Sequence, residues 1–196
     1  MRIISLYCIL LLTVFGQLRG QNCSSTLSQF PYVESFETGS GGWANNPNGS
    51  LSFVRKNGPT PTPGTGPSSA IDGRFYYYVE ATLPANFPSN AGSAIMESPC
   101  YDLTQMTDPQ LVFEYHMFGA NATRLVVQLS SDGGQSWGNS LLLLNGDQGN
   151  GWKTVTRSLS TWRNSSNVRI RFAATVTDVP NDEGDIAIDH IRIEEK

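Results

Sequence analysis

Apolar residues recur at every second position along most of this chain. In "RFYYYVEAT", Phe75, Tyr77, Val79 and Ala81 fall on one side, with Tyr76, Tyr78 and Glu80 on the other. "LVFEYHMF" sets Leu111, Phe113, Tyr115 and Met117 against Val112, Glu114, His116 and Phe118. "VRIRFAATV" sets Val168, Ile170 and Phe172 against Arg169 and Arg171, and "RLVVQLS", "SLLLLN" and "WKTVTRSL" continue the theme. A period of two is the repeat of a pleated strand. Clusters of Gly, Pro, Asn and Asp punctuate the runs, and no stretch carries apolar residues at helical spacing. The pattern predicts an all-β fold, a jelly-roll sandwich of two antiparallel sheets. Asp132-Gly133 in "SSDGGQSW" signals a tight hairpin between two of the runs. Residues 57–69, "NGPTPTPGTGPSS", have strand-like sequence on both sides, so they read as a Pro-rich internal loop, extended, mobile or O-glycosylated.

The last run, "EGDIAIDHIRIEE", poses a chemical problem. Strict alternation puts Asp185, Ala187, Asp189, Ile191 and Ile193 together, opposite Ile186, Ile188, His190, Arg192 and Glu194. Asp189 is thereby expected on the core side. A carboxylate there is costly unless a cation or hydrogen-bond donors hold it. His116, sharing a face with Glu114, reads as a solvated strand position.

Length and composition narrow the class. A chain of 196 residues is the size of one domain. Residues 1–20 have the layout of a secretory signal peptide: Arg2, an apolar run over 3–15 too short to span a bilayer comfortably, then "GQLRGQN". Cleavage is expected after Gly20, with Gly16 as the alternative, leaving 21–196 as a single secreted domain. No later run is long enough to span a membrane. Cys8 leaves with the signal peptide, and the remaining pair, Cys23 and Cys100, is expected to form a disulfide in an oxidising compartment. Asn48, Asn121 and Asn164 begin glycosylation sequons, and Asn22-Cys-Ser is a poorer one. A net charge of −4 and a pI near 5.1 argue against nucleic acid and anionic membrane as partners.

One segment mimics an enzyme motif. Gly134-Gln135-Ser136-Trp137-Gly138 spells Gly-x-Ser-x-Gly, and Asp185 and His190 follow in hydrolase order. That elbow requires a strand, a sharp turn and a helix, and no helix is readable here. The same residues resemble an Asp-box hairpin, in which Asp132 would tie the turn and Trp137 would pack beneath it. His116 and His190 lack metal-ligand spacing. No catalytic residue is assigned.

Across nearly the whole mature chain, ordered blocks resemble the MAM domain family: "FPYVESFETGSGGWANN", "GTGPSSAIDGRFYYYVEA", "SAIMESPCYDL", "LVFEYHMFGANATRLVVQL", "NGDQGNGWKTVTRSL" and "GDIAIDHIRI". The resemblance implies a jelly roll and an extracellular adhesion or interaction module. It further implies a structural calcium ion held by Glu37, Asp72 and Asp189, with loop carbonyls or Asn45 and Asn46 completing the shell. The competing reading is that Asp189 accepts backbone N–H groups or pairs with Arg74. A single cysteine pair, where animal members usually have two, makes the chain look more like stand-alone bacterial or invertebrate modules. The expected partner is an extracellular protein or matrix component, self-association included. The alternatives are a structural matrix component and a carbohydrate-binding module, in which Tyr76, Tyr78 and Trp162, with Trp43, would be exposed stacking platforms for a glycan. For Trp43, Trp137 and Trp152 the competing reading is core or turn packing.

Overall fold

The computed structural model describes residues 23–83, 87, 91–177 and 184–196. The expected signal peptide and Asn22 lie outside these residues. With strands numbered in chain order, one antiparallel sheet runs β10 (Ser140–Asn145), β9 (Ala122–Ser130), β12 (Arg169–Thr177), β6 (Ala91–Glu97), β3 (Ala44–Asn45). The facing sheet runs β11 (Lys153–Ser158), β8 (Pro109–Phe118), β13 (Asp185–Glu195), β5 (Phe75–Val79), β4 (Val54–Asn57), with β2 (Tyr32–Glu34) also paired to β13. A short parallel pair joins β1 (Thr26–Leu27) to β7 (Cys100–Tyr101). The fold is the jelly-roll sandwich that the alternation indicates. Its one helical turn among the described residues is a 3-10 turn at Ser160–Trp162.

The residues with period two meet between the sheets. Leu111, Phe113, Tyr115 and Met117 of β8 face Ile170, Phe172, Ala174 and Val176 of β12, with Leu125, Val127 and Leu129 of β9 and Met96 of β6 completing one core. Phe113 meets Phe172 edge-on at 4.9 Å between ring centres, and Trp43 leans on the same Phe172 at 5.4 Å. Each such side chain taken out of water contributes roughly 1.5–3 kcal/mol. Trp43 also donates its ring N–H to the Tyr32 hydroxyl at 3.1 Å, so a large apolar body is buried without stranding its polar atom.

β13 departs from simple alternation, and this corrects the expected faces. Ile186 and Ile188 point into the core, and so do Ile191 and Ile193. The phase inverts because two residues of β13, His190 and Ile191, lie opposite one of β8, between the pairs Asp189–Glu114 and Arg192–Val112. His190 takes a φ of +46° to make this bulge. The bulge falls where the neighbour of β13 changes from β5, paired at 186–188, to β2, paired at 191–193. Asp185, Ala187 and Asp189 therefore face away from the core, and Ala187 packs with Tyr76 and Tyr78 in a second, smaller cluster.

The Asp132–Gly133 pair sits in a connection wider than a tight turn, since β9 and β10 are joined across residues 131–139. The Asp132 carboxylate ties it, accepting the Ser130 hydroxyl at 2.6 Å and the Ser136 N–H at 2.9 Å. The Cys23–Cys100 bridge is present and closes a sequence separation of 77 residues, anchoring the N-terminal segment beside β7. A loop of this length corresponds to roughly 4 kcal/mol of restricted unfolded-state entropy. The Cys23→Ser/Cys100→Ser protein is expected to lose about that much in urea unfolding; an unchanged midpoint would show that the bridge adds nothing.

Candidate functional site

The outer face of the β11–β4 sheet is covered. Residues 58–73 cross it as a roof fixed at successive points. The Tyr76 hydroxyl donates to the Gly58 carbonyl at 2.7 Å, and the Trp152 ring N–H donates to the Ser69 carbonyl at 2.9 Å. The Thr65 hydroxyl donates to Asp185 Oδ2 at 3.0 Å, while Asp185 Oδ1 accepts the Ala81 N–H at 3.1 Å. Gly66 passes so close that a Cβ there would lie 2.7 Å from Asp185 Oδ2, and its φ is +52°. Thr60 and Thr65 are buried, so these two hydroxyls are not presented for O-glycans, whereas Ser68 and Ser69 of the same loop are exposed. His116 is also under cover, at 1% exposed, against Trp152 and within 3.2 Å of the Asn150 side-chain oxygen. The solvated position expected for it is therefore corrected, and burial pushes its pKa below the ordinary histidine value.

At the end of the roof lie the three acids expected to share a cation. Asp189, fully buried, accepts the N–H groups of Ile71 (3.1 Å) and Asp72 (3.2 Å) on Oδ2 and that of His190 (2.7 Å) on Oδ1. Glu37 Oε1 accepts the N–H groups of Arg74 (2.8 Å) and Phe75 (2.7 Å). Arg55 steadies the other side of the turn by donating to the Phe36 and Glu37 carbonyls at 2.7 and 2.9 Å. The two carboxylates thus grip the 71–75 backbone from both ends, and Asp72 contributes its N–H to that grip.

Calcium needs several oxygen lone pairs aimed at one point. Here the Asp189 oxygens and Glu37 Oε1 are aimed at N–H donors, whose positive ends would repel a cation. Asn45 is engaged elsewhere, with its amide clamping both backbone groups of Phe53 at 2.8 and 2.9 Å, and Asn46 donates to Glu97 at 2.6 Å. Among the described residues no group of three His, Cys, Asp or Glu side chains is placed to hold a metal. The geometry lends calcium no support, and of the two readings of Asp189 it matches the backbone N–H one.

The expected stacking platforms are not surfaces. Tyr76 is 0% exposed and Tyr78 is buried beside it, because the roof lies over them. Trp162 is half-buried against the main core and shares no face with the two tyrosines. Trp43 and Trp152 are packing residues too. The Asn121 side chain is 1% exposed, so the folded state does not present it to a glycosyl transfer enzyme, whereas Asn48 and Asn164 are exposed. Ser136 donates its hydroxyl to Asp132 in the β9–β10 connection, while His190 lies in the other sheet against Arg192 and Glu114, so the Gly-x-Ser-x-Gly residues assemble no triad.

The outer face of the β10–β3 sheet is open. Register places Ile95, Ala173, Val126 and Leu143 in one apolar row across β6, β12, β9 and β10. Polar rows flank it, with Glu97, Arg171 and Gln128 on one side and Ser93, Thr175 and Arg124 on the other. Leu143 is 50% exposed. Beside the first polar row a groove of about 520 Å³ is lined by Asn46, Asn48, Glu97, Gln135, Trp137, Arg169 and Arg171, among others. Arg171 stacks on the Trp137 ring, 4.4 Å from its centre, and holds Gln128 Oε1 through Nε (3.0 Å) and Nη2 (2.7 Å). Arg169 is paired with Glu97 at 3.2 Å, and Gly134, at φ +93°, leaves room for it: a Cβ there would sit 2.9 Å from its Nη1. Reading the sequence for aromatics in strands misses this groove. Its available signal was the alternating Arg169 and Arg171 next to a tied turn ending in Trp137.

Asp189→Ala strands three N–H groups and is expected to cost at least about 3 kcal/mol, while chelator leaves the wild-type melting temperature unchanged. A chelator-induced drop that Asp189→Ala abolishes would instead establish a cation there. For Asp185, burial pushes the pKa up from 3.8 to about 6, with the hydrogen bonds from Thr65 and Ala81 acting against it. The unfolded chain then releases this proton near pH 4 and the native state near pH 6, so stability falls as pH rises through that window and is flat above it. Asp185→Asn can still accept from Ala81 and donate to Thr65. It is expected to lack this part of the fall and to gain on the order of 1–3 kcal/mol at pH 7; identical pH profiles of melting temperature would refute this.

Comparison with known proteins bears on this geometry. The K1 cleaved adhesin domain of Lys-gingipain from Porphyromonas gingivalis W83 is similar at a TM-score of 0.60 and 18% identity, over 86% of this chain and 99% of that one. The K3 cleaved adhesin domain of the same protein gives 0.57 and 17%, over 83% and 96%. TmCBM61, solved in complex with beta-1,4-galactotriose, gives 0.51 and 16%, over 83% and 94%. At these identities the likeness is one of fold. The family model of the MAM domain, meprin/A5/mu, matches residues 35–196, from just before the Glu37 grip to the end of β13. This chain belongs to the MAM domain family.

Proposed function

We propose that the protein is a secreted, non-enzymatic recognition module that binds an extracellular protein or matrix component through the open face of its β10–β3 sheet. The observation that carries this reading is the asymmetry of the two outer faces. One is sealed by a roof held through hydrogen bonds; the other leaves an apolar row uncovered between polar rows, half-buried at Ile95, Ala173 and Val126 and exposed at Leu143. An apolar stripe rimmed by polar residues is the composition of a protein-binding patch. Membership of the MAM family, and the adhesin domains among its structural neighbours, support a binding role over a catalytic one. The absence of an assembled triad among Ser136, Asp185 and His190 points the same way. A glycan is the second reading, favoured by the groove of Asn, Gln, Glu, Arg and Trp side chains at the margin of the same face.

Immobilised extracellular-matrix proteins are expected to retain the wild-type protein, or sedimentation is expected to show concentration-dependent self-association. Val126→Glu/Leu143→Glu should weaken either signal at least tenfold with the melting temperature kept within a few degrees. Equal binding by this variant would overturn the assignment of the face.

A further inference from the structure

The groove beside Trp137 has more chemistry than a protein-docking rim requires. Arg171 is held rigid from two directions, by the Trp137 ring on its flat face and by Gln128 Oε1 along its edge. Yet neither of these partners is a carboxylate, and no acidic side chain of the described residues lies within salt-bridge distance of it. Its neighbour Arg169 is neutralised by Glu97 and further fixed by donating to the Ser98 carbonyl at 2.9 Å. Glu97 also faces Arg171 across the strand pair, so among the described lining residues one carboxylate is shared by two guanidiniums, and the groove keeps a preorganised, net positive character on a protein whose net charge is −4. A planar fork of N–H donors held in this way is suited to bidentate binding of a carboxylate or sulfate.

The rest of the lining selects the kind of molecule that bears the anion. Asn46, Asn48 and Gln135 line it with side-chain amides, Asn46 fixed by donating to Glu97 and accepting the Asn48 N–H and Gln135 by donating to the Asp132 carbonyl, and Glu97 presents a carboxylate paired with Arg169. Paired donors and acceptors of this kind match the vicinal hydroxyls of a sugar. The groove reaches the sheet edge only at β3, a strand of two residues (Ala44–Asn45), so it offers a peptide too short a row of backbone groups for strand addition. Its volume of about 520 Å³ suits a few sugar rings.

We infer that this groove binds an acidic saccharide, with Arg171 receiving the carboxylate or sulfate and the Asn46, Gln135 and Glu97 side chains receiving hydroxyls. The inference rests on the recognition-module reading and narrows it to one ligand class. Asn48 stands at the groove's margin and begins an exposed sequon, so a glycan added there would crowd the entrance.

The experiment is calorimetric titration of the full secreted chain and its Asn48→Gln form with three probe sets: hyaluronan oligosaccharides (carboxylate only), heparin and chondroitin sulfate oligosaccharides (carboxylate and sulfate), and neutral xylohexaose. Binding of one or both acidic sets, at least tenfold tighter than xylohexaose, is expected. Arg171→Gln and Trp137→Ala should each weaken it at least tenfold, Arg171→Lys should weaken it less, and Val54→Ser, on the exposed β4 of the other sheet, should leave it unchanged. The contrast between hyaluronan and the sulfated sets identifies the anion. Equal affinity for xylohexaose, or full affinity in both Arg171→Gln and Trp137→Ala, overturns the inference. So does a poly-glutamate peptide that competes as well as the best saccharide, which would assign the groove to acidic peptides. If no saccharide binds while the matrix or self-association signal persists, the groove assignment fails and the recognition reading stands; loss of both signals sinks both.

Discussion

The buried carboxylate of Asp189, closed around by three backbone N–H groups, is the constraint on which the arrangement of this molecule depends. Two of those groups come from the end of the roof and one from the bulge in β13 itself. The same residue therefore fixes where the last strand inverts its phase and where a long loop must land. Burial pushes its pKa up to about 7, and the N–H groups oppose that shift. An ionisable group retained at such a position is costly by itself, and its retention makes sense as a device that specifies register.

From that point the two faces of the sandwich diverge. The loop held by Asp189, Glu37 and Asp185 covers Tyr76, Tyr78 and Ala187 and converts an outer sheet face into a second interior. Covering one face leaves the other as the open sheet surface. On the open face, an apolar row, a polar row and a groove with a stacked guanidinium lie side by side. The proposed adhesion through the row and the inferred saccharide capture in the groove are compatible, because their residues occupy adjacent and largely separate parts of the sheet.

The legible parts of the structure were those set by local repetition. Leu111, Phe113, Tyr115 and Met117 face the core as their alternation requires, and the Cys23–Cys100 pair closes as the cysteine count requires. Asp132 ties its turn because its acceptor oxygens lie a few residues from the groups they bind. The failures share a cause. Tyr76, Tyr78 and His116 alternate like solvent-facing residues, but residues 58–73 or the turn carrying Trp152 cover them. Asn121 fits a surface sequon by spelling alone, whereas its side chain is packed away.

What the sequence determined by itself is the β architecture, the core-facing residues of regularly alternating strands such as β8 and β12, and the bridge that staples its N-terminal segment. These follow from a period of two and from the pairing of two thiols, both readable without knowing which strands are neighbours. Tertiary structure alone decided the phase switch at His190, the roofed face and the Trp137–Arg171 groove. Each of these joins groups far apart in the chain, such as Ile71 with Asp189 or Asn46 with Glu97, and a carboxylate's hydrogen-bond partners are set by distance in space, not by position in the sequence.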